Sequence, residues 1–172
     1  MNIPKEFIQY LVYFHGNRDY FECHEVLEEY WKKVDSTNRA SIWVGFIQVA
    51  VAMYHYRRNN LNGAQRTLMK GMTNLQLNDQ KLATLGVEKD RFLSILHDQM
   101  KRINEHKPYQ SINIPLIDED LIRTCINLCD SYGYRWRQES DLSNSLIVHK
   151  HQLRDRSDVI SAREKALKNK NG

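Results

Sequence analysis

The residues that decide the fold are Asp19-Tyr20-Phe21-Glu22-Cys23-His24-Glu25-Val26-Leu27-Glu28-Glu29-Tyr30-Trp31. Tyr20, Cys23, Leu27, Tyr30, Trp31 and, beyond them, Val34 recur at offsets of three and four, so a helix brings them onto one face. Asp19 is a good N-cap. Glu22, three residues on, completes a capping-box pattern with Asp in place of Ser or Thr. His24 falls beside Tyr20 and Leu27 on the inward stripe, with Glu28 one turn further along. Glu25 and Glu29 share the neighbouring stripe with Phe21, Lys32 and Lys33. The inner face is thus expected to carry an imidazole and a carboxylate, which are costly to bury without partners.

The next helical stretch, residues 41–59, is apolar on nearly every side: Ile42, Trp43, Val44, Phe46, Ile47, Val49, Ala50, Val51, Ala52, Met53 and Tyr54. Such a helix is expected to be central and covered all round. Gln48 and His55 lie on one face of it. The four residues from Asp35 to Asn38 suffice to reverse the chain, so the two helices should form an antiparallel pair. A polar strip on each, turned toward the other, would meet both desolvation costs. The expected shared cluster is His24, Glu25 or Glu28, Gln48 and His55.

These residues also carry a resemblance. The run from Phe14-His15-Gly16-Asn17-Arg18 through Trp31 resembles the signature of domain-of-unknown-function family 309, a group of small all-helical, mostly prokaryotic proteins. Gly45-Phe46-Ile47-Gln48-Val49-Ala50-Val51-Ala52-Met53-Tyr54-His55, followed by Gly63-Ala64, is similar to its second signature. The match runs over about residues 7–75, with Cys23 where a small residue such as Ala is expected. The resemblance implies a helical fold and marks Glu22, His24, Glu25, Glu28, Gln48 and His55 as the family's shared polar positions. It implies no activity.

At 172 residues, 41% hydrophobic and 27% charged, the chain fits one soluble domain with a sizeable core. Residues 1–156 read as that domain and 157–172 as a basic C-terminal helix or tail. No apolar run reaches membrane-spanning length, and no secretory signal is evident at the N-terminus. Three cysteines, two of them (Cys125 and Cys129) one helical turn apart, read as buried thiols in a cytoplasmic protein. Acidic and basic side chains balance through Val148, so the whole net charge of +4 belongs to residues 149–172.

Elsewhere, Pro4 opens a first helix with Phe7, Ile8, Leu11 and Phe14 or His15 inward, and Gly16 ends it. His15 reads as a helix-end cation or a surface group. Asn62 is the expected cap of a helix with Ala64, Leu68, Met72 and Leu75 inward and Met69 alongside as core filling. Residues 78–86 read as a break and 87–105 as a helix. Pro108 and Pro115 make 106–118 an extended crossing segment. Asp118 caps a further helix. Leu146-Ile147-Val148 reads as a short strand or an irregular strip. The expected architecture is all-α, a bundle of about six or seven helices around the central antiparallel pair.

His24-Glu25-x-x-Glu28 has the spacing of a metalloprotease helix with the second His replaced by Glu. With His55 as a third ligand beside His24 and Glu28, a divalent metal would be held, and Glu25 would be the candidate catalytic base for a bound water. The competing reading is structural: Glu22 caps, Glu28 bonds His24, and Gln48 and His55 close a network. Without a defined three-ligand motif the structural reading takes precedence, and the chain reads as a non-enzymatic ligand- or protein-binding module. A protein partner or homo-oligomer is compatible with it. Tyr134-Arg135-Trp136-Arg137 and the basic terminus offer a nucleic-acid surface, but Asp155, Asp158 and Glu164 interrupt the charge, so nucleic acid is disfavoured.

Overall fold

Ser41 starts the helix on which the others are packed. In a computed structural model, which describes residues 2–153, its side chain accepts a hydrogen bond from Trp43 N, and α3 runs Ile42–Arg57. Before it come α1 (Lys5–His15) and α2 (Tyr20–Val34); after it come α4 (Leu61–Leu77), the short α5 (Asp79–Thr84), α6 (Lys89–Asn104) and α7 (Glu119–Ser131). Two four-residue helical turns, α8 (Ser145–Val148) and α9 (Lys150–Leu153), end the described chain. The fold is all-α, and among the described residues the β pairing is a single bridge between Val87 and Leu116. The basic C-terminal helix or tail expected at 157–172 lies outside the described residues.

The packing follows from which faces are apolar. Phe46, Val49, Ala50, Ala52 and Met53 of α3 are fully buried, because the helix meets α2 on one side and α4 on the other. The 35–41 connection is closed by Trp31 Nε1 donating to Asn38 O at 3.0 Å. On the other side, α3 and α4 approach closely through two glycines. A Cβ on Gly71 would stand 3.2 Å from Gly45 O and 3.3 Å from Val49 N, so a side chain there would press on the α3 backbone. The α1 helix packs on α2 and α7, with Phe7, Tyr10 and Phe14 buried. The crossing segment 106–118 is pinned by Glu88 N to Pro115 O and Ile117 N to Gly86 O, at 3.0 and 2.8 Å.

Several local expectations need correction. The cap of α4 is Asn60, whose Oδ1 accepts from Gly63 N, and not Asn62, because α4 begins earlier than its apolar stripe. The break at 78–86 contains α5, and 146–148 is a helical turn. Met69 is 57% exposed, outside the core formed by Ala64, Leu68, Met72 and Leu75. His15 is fully buried: its Nδ1 donates to Leu11 O at 2.8 Å, and its Nε2 accepts from Ile114 N at 2.9 Å. Burial first, then the nearby Arg18 cation, pushes its pKa down to about 3, so it is a neutral strut. Cys23, Cys125 and Cys129 are free, buried thiols, as expected.

Candidate functional site

The geometry of the site begins with the start of α2. Asp19 Oδ1 accepts from Glu22 N at 3.1 Å, the capping bond expected from the sequence. The reciprocal half is absent: Asp19 N bonds Tyr13 O, and the Glu22 carboxylate turns to Lys150 Nζ at 3.0 Å. With α2 started there, Tyr20, Cys23 and Leu27 are fully buried. His24 lies about 100° around the helix from Cys23, which puts it on the flank of the buried stripe.

On that flank His24 holds two carboxylates. Nε2 is 2.7 Å from Glu28 Oε2, and Nδ1 is 3.4 Å from Glu25 Oε1. Glu28 also pairs with Lys32 at 3.0 Å. The side chains of His24, Glu28 and Glu25 are 30%, 33% and 47% exposed, so this part of the expected cluster lies along an open groove and is not enclosed. These three residues each bring a ligand atom within 4.8 Å of the others, which is the spacing a metal ion would need.

Facing them from α3 are the other expected members. Gln48 Oε1 accepts from Asn74 Nδ2 of α4 at 2.8 Å, and Gln48 shares a depression with His24, Glu28 and Trp31. His55 is bonded through Nδ1 to Asn60 Nδ2 at 3.2 Å. Asn60 Oδ1 is taken by Gly63 N, so the amide donates to Nδ1 and the neutral ring carries its proton on Nε2. Burial, then the Arg58 cation, lowers the His55 pKa. His24 and His55 therefore do not touch, but they line one cavity of about 220 Å³.

That cavity brings in residues the sequence did not single out. Tyr20, Phe21, Val51, Tyr54, Arg58 and His151 complete its wall. On the far side of His24 a second, more open depression is lined by Phe21, Glu25, Glu28, Glu29, Lys32 and His151. His24 is the wall common to an aromatic, basic chamber and an acidic one. The signal for Arg58 was the Arg57-Arg58 pair closing an apolar helix. His151 had none, since its position depends on a segment more than ninety residues away from its contact on α3.

That segment, 134–153, is a strap, irregular as far as α8 and ending in the turns α8 and α9. Arg18 is fully buried and fastens it to the crossing segment: Nε donates to Gln138 O at 2.7 Å in the strap, and Nη1 to Ile112 O at 2.5 Å and Nη2 to Asn113 Oδ1 at 2.7 Å in the crossing segment. Arg57, also buried, donates to Arg18 O at 2.7 Å and lies 4.5 Å over the Tyr20 ring. Trp136 packs on His15, with centroids 4.5 Å apart. At its end Lys150 Nζ reaches Asp19 Oδ2 at 2.7 Å, and His151 N donates to Tyr54 Oη at 3.0 Å. No helix of the described residues is long and apolar enough to cross a membrane.

Comparison with known proteins places the chain in a family. The model of the family described as a domain of unknown function (DUF309) matches residues 7–67, which hold every expected site residue. The chain is 46% identical over 164 residues to the uncharacterized protein YpuF of Bacillus subtilis (strain 168), covering 95% of this chain and 94% of that protein. No solved structure matches the chain.

Proposed function

The chain belongs to the domain-of-unknown-function family DUF309, and from that premise we propose that it is a non-enzymatic binding module whose ligand site is the groove between α2 and α3. Residues 1–156 serve as the binding domain, and 157–172 as an appended basic segment. One observation carries the reading: half-exposed His24 and His55, on separate helices, line a single cavity walled by aromatic side chains. Concave sites with an apolar wall and a few convergent polar groups are where small ligands bind. The contacts of His24 with Glu25 and Glu28 are exposed enough to contribute little to stability, so holding the fold is not a sufficient account of them.

The test is a small-molecule screen read by NMR on the full chain. Hits that shift resonances of Tyr54, His55 and His24 together, and vanish in the His24→Ala variant with its fold intact, support the module. A screen whose hits all lie elsewhere overturns it.

A second reading has its own observation. The ligand atoms of His24, Glu25 and Glu28 converge within 4.8 Å, so a divalent metal ion would be held by these three and not by His55. Glu25, once a ligand, is then not free to act as the base on a metal-bound water, which weakens the hydrolase version. Calorimetry with zinc against His24→Ala and Glu28→Gln decides it: stoichiometric binding lost in both variants supports the metal centre, and no heat of binding rejects it.

A further inference from the structure

The basic chamber of this groove has a composition that selects charge. Arg58 closes α3, and its guanidinium stands 5.2 Å over the Tyr54 ring. Its Nε donates to His149 Nδ1 at 3.2 Å, while no acceptor among the described residues bonds its two terminal nitrogens. Tyr54 Oη accepts from His151 N, which leaves its own proton to donate. His55 presents Nε2–H, because Nδ1 is occupied by Asn60. Among the described residues, no carboxylate lines the chamber. The apolar part of the wall is Phe21, Val51 and Tyr54.

We infer that this chamber binds a small organic anion with a flat apolar body, its acidic group meeting Arg58 and the donors of His55 and Tyr54 and its ring lying against Val51 and Tyr54. This deepens, and rests on, the reading of the groove as a ligand site. Charge-assisted bonds from a guanidinium to a carboxylate or phosphate are among the stronger polar contacts, and a half-buried wall limits competition from water. The acidic chamber beyond His24 reinforces the orientation. Glu25, Glu28 and Glu29 repel an anion, so the acidic group is held on the Arg58 side. The lowered His55 pKa fits the same field: after burial it comes from Arg58, His151 and Arg66. Among the described residues, the charged or titratable groups facing His55 are these three, with His24, Tyr20 and Tyr54 around the same cavity. An anion bound among them raises the His55 pKa.

The experiment is an NMR titration of the full chain with benzoate, phenyl phosphate and, as the cationic counterpart, benzylamine, at equal ionic strength. The expected result is that both anions shift Tyr54 and His55 and move the His55 titration upward, and that benzylamine does neither. Arg58→Gln should weaken the anions about tenfold with an unchanged circular dichroism spectrum. His55→Gln, a milder change, should weaken them less and reduce the pH dependence of benzoate binding. If benzylamine binds in the groove as well as or better than the anions, or Arg58→Gln leaves their affinity unchanged, the inference fails while the groove remains a ligand site. If none of the three probes perturbs the groove, the inference fails, and the broader screen above then decides the groove reading separately.

Discussion

Nε2 of His24 and Oε2 of Glu28 stand 2.7 Å apart on successive turns of α2, at the boundary between an aromatic, basic chamber and an acidic one. The pair is one-third exposed, which separates its role from that of the buried polar groups of the fold. Water competes for both partners, so the attraction is modest.

His24→Ala is therefore expected to cost about 1 kcal/mol or less in chemical denaturation. Groove ligands should nevertheless be lost. A loss of several kcal/mol would return the residue to a structural role.

His15 governs a different measurement. Its pKa is about 3 in the folded protein against an ordinary 6.5, so the unfolded chain binds the proton more readily. The stabilisation from keeping it neutral is complete above 6.5 and is lost as pH falls from 6.5 toward 3. Across that window it amounts to something on the order of 4 kcal/mol. Urea denaturation as a function of pH should show stability rising with pH there, and His15→Gln should flatten the slope. A slope unchanged in the variant contradicts the buried, neutral assignment.

Arg18, itself buried, ties the crossing segment and the strap to the start of α2 with three donors to partly buried acceptors. Arg18→Met should destabilise by about 2–3 kcal/mol, since it removes three charge-assisted hydrogen bonds that join separate segments. Hydrogen exchange should be fastest to change at Arg137 N, which bonds His15 O beneath the strap. Protection there that matches the parent protein would mean the strap is held by other contacts.

Gly71 is where α4 comes closest to α3, and the atoms a Cβ would meet there include backbone of α3. Gly71→Ala is expected to lose about 1–3 kcal/mol in spite of the better helix propensity of Ala, because the helices must separate. A stabilised variant would show that the contact yields easily.

The contrast between His24 and His15 also explains what was legible in the sequence. The spacing of Tyr20, Cys23 and Leu27 and the unbroken apolar run of α3 located the two helices, and the i, i+4 relation located the His24–Glu28 pair. Periodicity fixes an angle around a helix but not how high its neighbours rise, so the groove looked enclosed when it is open. His15 looked like a surface group because what buries it, Ile114 and Trp136, arrives from about a hundred residues further along. Arg58 and His151 were missed for the same reason: their meeting depends on where an irregular strap crosses the bundle, and irregular backbone has no period to read.

The central claim is that His24 and His55 belong to one ligand site. Its most direct test is to follow both imidazole ring signals in one NMR titration with the best ligand from the groove screen. The account predicts that both signals move along the same saturation curve and that either His24→Ala or His55→Gln weakens that ligand. Signals that saturate at different concentrations, or a ligand that moves one ring and is indifferent to replacement of the other, would contradict it.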